Sequence, residues 1–148
     1  MRGFTLIELI LVIAISATLA ALAVPTIGQF SNRTQIDATE TEIISALRLA
    51  QAKAMAVEQD SKFGVYFDNV NQKFYIFRGL NFGDNPSENI EYNYPNVINV
   101  AQSFTGNQAD FEKLFGTTTD TGNIVITNNI GQTRTINVSS VGKIEYAE

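Results

Sequence analysis

The sequence has 148 residues, of which 45% are apolar and 17% are charged, and its net charge is −5. This length allows one ordinary domain, and this composition favours a packed core over a disordered chain. The absence of Cys and His excludes disulfides, the usual zinc ligands, thiol nucleophiles and His-dependent general bases. We therefore expect no catalytic residue, no metal site and no cofactor, and we do not expect an enzyme.

The N-terminal segment is far more apolar than the rest of the chain. Of the 21 residues from 4 to 24, 17 are apolar, and residues 9–32 carry no charge. As a helix that rises about 1.5 Å per residue, the uncharged stretch would extend roughly 36 Å, which is enough to cross a hydrocarbon layer of about 30 Å. We predict a membrane-spanning helix at residues 4–30, kinked or locally broken at Pro25.

Glu8 is the one charged residue inside this apolar segment. A carboxylate at membrane depth costs about 2.5–3.5 kcal/mol, so its presence indicates a function and a partner. If the chain were cut between Gly3 and Phe4, the new α-amine would lie four residues before Glu8. That amine is positively charged below about pH 8 and could pair with Glu8 of a neighbouring copy. The pairing would offset two desolvation penalties and fix the axial register of the helices.

A secreted β-rich binding protein with a removable signal peptide is an alternative. Residues 21–23 (ALA) resemble a small-residue cleavage site after an apolar stretch, and Arg2 could serve as a short basic region. Cleavage after Ala23 would leave Pro25 two residues beyond the cut. It would also leave the costly carboxylate of Glu8 unexplained, because a signal peptide gains nothing from it.

The pattern after residue 30 predicts one helix followed by strands. Apolar residues recur at helical spacing between residues 31 and 58, with Glu40 inside the apolar stripe. After Asp60 the period changes to two, which is typical of strands. We predict hairpins from residues 62–67 with 73–78 and from 123–127 with 133–139, a strand within 96–101, a helical turn at 110–115 and an edge strand at 143–146.

One long helix followed by strands predicts an α+β fold in which the helix packs on an antiparallel β-sheet head. The first predicted hairpin is rich in aromatic residues. At strand spacing about half of these must face the helix, so we expect them to form core rather than a ligand surface.

Three sequence blocks resemble a known protein family. The run GFTLIE at residues 3–8, followed by an apolar helix with Pro25, resembles the class III signal of type IV pilins and type II secretion pseudopilins. Residues 44–54 (ISALRLAQAKA) resemble the LRxAxxxA helix of the GspH/FimT-type minor pilins and pseudopilins, and residues 122–146 resemble their closing strands.

The resemblance implies a pilin-like fold and a pilin-like life cycle. Residues 1–3 would be a leader that a prepilin peptidase removes after Gly3 on the cytoplasmic side, with N-methylation of Phe4. Glu8 would pair with a neighbour's amine during assembly. Residues 4–30 would lie in inner-membrane lipid and then in the filament core, and residues 31–148 would form a periplasmic or extracellular head.

The implied function is that of a structural subunit, most similar to minor ones, of a type IV pilus or a type II secretion pseudopilus. Its partners would be other pilin or pseudopilin subunits, the prepilin peptidase and an inner-membrane assembly platform.

A DNA-binding minor pilin is a second alternative, because some FimT-like proteins are associated with DNA uptake through a basic C-terminal tail. The matching tail here, residues 142–148, has one Lys and two Glu. From residue 58 onward there are 6 basic and 11 acidic side chains. Such a balance repels phosphate and argues against nucleic acid as a partner.

Overall fold

A computed structural model describes residues 3–147, without the side chains of residues 22–31. Helix α1 (Leu6–Met55) precedes eight strands in this part of the chain. The strands are β1 (Phe63–Asp68), β2 (Lys73–Arg78), β3 (Ile90–Asn93), β4 (Ile98–Gln102), β5 (Gln108–Phe111), β6 (Gly122–Asn128), β7 (Thr133–Val138) and β8 (Ile144–Ala147).

The strands form two antiparallel sheets of four strands each. The first has the order β3-β2-β1-β5 and the second has the order β4-β6-β7-β8. Both predicted hairpins are confirmed, with Asp68 opposite Lys73 in the first and Thr127 opposite Thr133 in the second. The predicted edge strand is also confirmed as β8, which pairs only with β7 among the described strands.

The predicted helical turn at residues 110–115 is wrong. Strand β5 reaches Phe111 and pairs with β1, with Ala109 opposite Val65. Ala109 and Phe111 are fully buried while Asp110 between them is partly exposed, so the segment follows the period of two that a half-buried strand requires. The segment is too short and too polar for its alternating pattern to be recognised from the sequence alone, without knowledge of its partner strand.

The helix ends at Met55, three residues before the predicted end. Val57 adopts the left-handed conformation with φ 53°, which cannot continue a right-handed helix. The backbone amide of Leu114 donates a hydrogen bond of 3.1 Å to the carbonyl of Ala54. This contact satisfies one of the carbonyls that every helix leaves free at its C-terminus.

The C-terminal part of α1 and both sheets share one core, which confirms the α+β fold. The helix buries a stripe of apolar side chains against residues from the inner faces of the two sheets. Each fully buried large side chain contributes about 1.5–3 kcal/mol relative to its exposed state. The helical members of this core are Ile36, Ile43, Ile44, Ala46, Leu47, Ala50 and Ala54.

The aromatic residues of the first hairpin divide between two faces. Phe63, Phe67 and Phe74 belong to the core, as predicted for half of them. On the opposite face, Tyr66 stacks on Phe82 from the β2–β3 loop, with 4.0 Å between ring centroids. The loop therefore covers part of the outer face of the first sheet.

Two loops are fixed to the end of the helix by one side chain. The amide nitrogen of Gln51 donates hydrogen bonds to the carbonyls of Gly116, at 2.8 Å, and Gly142, at 2.7 Å. Gly142 has φ +77°, and a β-carbon there would overlap the carbonyl oxygen of Gly116. Only glycine fits this position, since it tolerates both the conformation and the close approach.

Candidate assembly site

The bond between Gly3 and Phe4 lies in non-helical backbone, and α1 begins two residues later at Leu6. Gly3 is exposed, and the side chain of Phe4 is 88% exposed. Exposed, irregular backbone is the form of chain that proteases cut most readily. The two residues predicted for processing therefore lie where a peptidase could reach them.

Glu8 takes part in a reciprocal cap at the start of α1. Its Oε2 atom accepts hydrogen bonds of 2.9 Å from both the backbone amide and the hydroxyl of Thr5, and its own amide donates to that hydroxyl at 3.3 Å. This is a capping box, in which an N-cap Thr and a Glu three residues later satisfy each other's free amides. The cap orients the Glu8 carboxylate toward the N-terminal end of the helix.

Apolar side chains surround Glu8 on the first turns of α1. From Phe4 to Leu19 the large apolar side chains are between 51% and 88% exposed in the single chain. A helix that is apolar on every side is stable only in apolar surroundings. The exposed residues are Phe4, Leu6, Ile7, Leu9, Ile10, Leu11, Val12, Ile13, Ile15 and Leu19.

Within the described residues, no helical stretch is both long and apolar enough to cross a membrane. The predicted span at 4–30 extends into residues 22–31, whose side chains lie outside the described part of the structure. Pro25 is among them, so the predicted kink stays a prediction.

The cations of the head, residues 35–147, are largely engaged by carboxylates. Arg48 is the one described Lys or Arg of this region that lies outside an ion pair, and it is exposed. The others form pairs on the surface: Lys53 with Glu58, Lys62 with Asp110 and Glu112, Lys73 with Glu91, Arg78 with Glu88, Lys113 with Asp60, Arg134 with Asp37 and Glu40, and Lys143 with Glu145.

Glu40, the polar residue inside the helix stripe, is explained by Arg134 of β7. Glu40 is only 8% exposed, and its Oε2 lies 3.7 Å from Nε of Arg134. Burial raises the pKa of Glu40, and the positive charge of Arg134 opposes that shift. A second guanidinium nitrogen of Arg134 donates to Asp37 at 2.9 Å, so one cation serves two carboxylates.

The Asp and Asn residues of the β1–β2 turn serve the turn itself. Asp68 accepts hydrogen bonds from the backbone amides of Val70 and Asn71 and, at 2.7 Å, from the side-chain amide of Asn71. The hydrogen bonds from Asn71 are the main cause of the lowered pKa of Asp68. Among the described residues, acidic side chains do not gather in groups of three that could hold a metal ion.

Three side chains that make the contacts described above were not predicted from the sequence: Thr5, Gln51 and Arg134. Thr5 could have been found, because Thr-x-x-Glu before an apolar run is the signature of a capping box. The contacts of Gln51 with two loops, and of Arg134 with the helix, join segments 65 to 97 residues apart. No local pattern marks such pairs.

The N-terminal part of the chain is similar to known proteins. Residues 1–24 match the family described as the prokaryotic N-terminal methylation motif. Two curated proteins from Pseudomonas aeruginosa, both named fimbrial protein, are 44% identical to this chain over 54 residues. That segment covers 36% of this chain and 34% of each relative, so the match spans about a third of the relatives' length.

Two solved structures share the fold. The type IV minor pilin FimU of Pseudomonas aeruginosa superposes with a TM-score of 0.62 and 14% identity, covering 76% of this chain and 92% of FimU. The minor pseudopilin EpsH from the type 2 secretion system of Vibrio cholerae superposes with a TM-score of 0.59 and 11% identity, covering 76% of this chain and 96% of EpsH. At these identities the superpositions establish the fold.

Proposed function

We propose that this chain is a structural subunit of a type IV pilus or a type II secretion pseudopilus, because residues 1–24 match the N-terminal methylation motif and the head has the fold of a minor pilin and a minor pseudopilin. The observation that carries the proposal is the N-terminal arrangement: an accessible Gly3–Phe4 bond, the capped carboxylate of Glu8 and an exposed apolar helix behind it. The two solved structures compared above are both minor subunits, which favours a minor role here.

Processing would create the partner of Glu8. Cleavage after Gly3 by a prepilin peptidase exposes the α-amine of Phe4, which is then N-methylated and stays positively charged at neutral pH. The free amine of one subunit would pair with Glu8 of its neighbour. Membrane helices gain little from apolar contact with each other in lipid, so this polar match would set their register.

The location follows from the same steps. The precursor would sit in the inner membrane with its N-terminus in the cytoplasm and its head outside it. Lipid would cover the apolar helix before assembly, and neighbouring subunits would cover it afterwards. The assembly platform of the machine would move the subunit from one environment to the other.

The DNA-binding alternative has less support. The lysines of the described head lie in ion pairs with carboxylates, so a phosphate would have to compete with a carboxylate for each one. Binding to duplex DNA that weakens steeply with salt would overturn this view, because such a slope reports the number of phosphates contacted.

The first test is the intact mass and N-terminal residue of the protein recovered from its native membrane, with and without prepilin peptidase. We expect an N-methylated Phe4 that depends on the peptidase. A mature protein starting at Val24 would mean that the helix and Glu8 are removed, and the assembly proposal would fail.

The second test is replacement of Glu8. Glu8→Ala and Glu8→Val precursors should insert and be cleaved, yet enter filaments poorly because the new amine of the neighbour has no carboxylate to meet. Normal incorporation of either variant would show that Glu8 does not set the register.

A further inference from the structure

A recess of about 280 Å³ lies where three connections of the head meet. These connections are the β1–β2 turn, the segment between β3 and β4 with the start of β4, and the β6–β7 turn with the end of β6. Side-chain amides dominate the lining, and none of the described residues that line it carries a charge. The amides belong to Asn69, Gln72, Asn96, Asn99, Asn128 and Asn129.

Most of these amides have no role in holding the turns together. In the β1–β2 turn that role belongs to Asp68 and Asn71. In the β6–β7 turn it belongs to Asn128, whose side chain binds the amides of residues 130 and 132 and the side chain of Gln132. The other five amide side chains of the recess make no hydrogen bond to any described residue. Their donors and acceptors are available to a ligand.

Tyr94 adds a hydroxyl to the same recess. Its side chain is only 5% exposed, and its hydroxyl has no hydrogen-bond partner among the described residues. A buried tyrosine usually hydrogen-bonds its hydroxyl. The backbone amide of Tyr94 donates to the carbonyl of Gln72 at 3.1 Å, which fixes this residue against the first turn. The recess therefore holds a positioned hydroxyl beside the amides.

The electrostatics of the recess favour a neutral ligand. Burial, and then the negative charge of Asp68, raise the pKa of the Tyr94 hydroxyl, so it stays an O–H donor at neutral pH. A phosphate or carboxylate would meet no cation in the lining, and Asp68 would repel it. A cation would have to compete for Asp68 with the three hydrogen bonds of the turn.

We propose that this recess binds a neutral sugar residue, so that the head is a carbohydrate-binding module. A side-chain amide offers two donors and two acceptor sites, and a sugar hydroxyl offers one donor and two acceptor sites. A dense set of amides without partners therefore matches the ring of hydroxyls around a sugar. The volume lies at the small end of ligand sites, which begin at about 300 Å³, and this suits a single ring. The inference goes beyond the proposed function and does not depend on filament assembly.

The test uses the full-length protein in lauryldimethylamine oxide, a detergent without a sugar headgroup that could compete. The probe is an array of neutral oligosaccharides built from glucose, galactose, mannose, N-acetylglucosamine and N-acetylgalactosamine, with the sialylated form of each beside it. We expect binding to at least one neutral oligosaccharide and weaker binding to its sialylated form. Titration with the bound oligosaccharide then gives the affinity.

Variants assign the binding to the recess. Asn99→Ala and Asn129→Ala, both at exposed positions, should each weaken the affinity about fivefold to tenfold, the factor for one amide hydrogen bond. Tyr94→Phe keeps the buried ring and should cause a similar loss. Asn137→Ala, at an exposed position outside the recess, is the matched control and should leave the affinity unchanged. An unchanged unfolding midpoint in each variant excludes a folding defect.

Three results would overturn the proposal. The first is an array on which no neutral oligosaccharide is bound. The second is an affinity that none of the three recess variants changes, because the sugar would then bind elsewhere. The third is a preference for the sialylated form, which contradicts a charge-free site. Entry into filaments is measured separately, so failure of the unmodified protein to enter them would overturn the subunit role and leave this inference standing.

Discussion

The side-chain amide of Gln51 and the carbonyl of Gly142 are joined by a hydrogen bond of 2.7 Å across 91 residues of sequence. The same amide holds the carbonyl of Gly116 at 2.8 Å. One side chain on the helix thus holds both the loop after β5 and the loop before β8 in place by hydrogen bonds. The second of these loops leads directly into β8, the edge strand of the second sheet.

Replacing Gln51 with Ala should destabilise the head. Both loop carbonyls would lose their donor, which costs about 1–3 kcal/mol in the free energy of unfolding. Denaturant unfolding of the full chain in detergent micelles, followed by tyrosine fluorescence, measures the change. Ser45→Ala, at an exposed position of the same helix, should leave the midpoint almost unchanged, and equal effects from the two variants would contradict the role of Gln51.

Gly142→Ala should be more damaging than Gly131→Ala. Both glycines have a positive φ, +77° and +81°, so both variants carry the left-handed penalty of about 1–2 kcal/mol. Only at Gly142 would the new methyl group meet neighbours, namely the carbonyl of Gly116 and the side chain of Gln51. We expect the difference between the variants to reach about 2 kcal/mol or more in the same unfolding measurement. Equal losses would mean that the loop moves aside without cost.

Glu8→Gln separates helix capping from charge. Gln can replace Glu in a capping box, so the helix start and cleavage after Gly3 should be preserved. Incorporation into filaments should nevertheless fall to the level of Glu8→Ala, because the neutral amide cannot neutralise the neighbour's amine. The measurement is the fraction of mature subunit in sheared filaments, and wild-type incorporation would assign Glu8 to capping alone.

Asp68 should contribute stability that disappears in acid. Its folded pKa lies below the ordinary value of 3.8 because of the hydrogen bonds from Asn71. The stabilisation is therefore fully present above the unfolded pKa and is lost as the pH falls through the folded pKa. In acid unfolding, the wild type should lose this stabilisation as the pH falls, whereas Asp68→Asn, which has no carboxylate to protonate at this position, should not. Carboxyl NMR titration of Asp68 should give a midpoint below the ordinary value. An ordinary midpoint would contradict the turn geometry.

The N-terminal features could be predicted from sequence because each depends on neighbours in the chain. The apolar run, Glu8 within it and the glycine before it are local facts, and the match of residues 1–24 to the N-terminal methylation motif agrees with them. The capping partner Thr5 was equally local. Both hairpins were also readable, because a short turn between two segments of period two determines its own pairing.

The prediction failed at residues 108–111, where the strand depends on a partner far away in sequence. Four residues with one buried side chain on each side of Asp110 carry too little pattern to identify a strand. Pairing with β1 decides it, with Phe63 opposite Phe111.

The sequence by itself determined that this chain carries an apolar N-terminal segment that opens with GFTLIE, and an α+β head without Cys or His. Only the tertiary structure decided which distant groups meet: Arg134 with the stripe residue Glu40, and Gln51 with the glycines of two loops. The physical reason is that periodicity and turn chemistry act over a few residues. A buried charge or a free carbonyl, in contrast, is stabilised by whichever partner the packed fold brings close: an ion pair at 3.7 Å for Glu40, and hydrogen bonds for the two carbonyls.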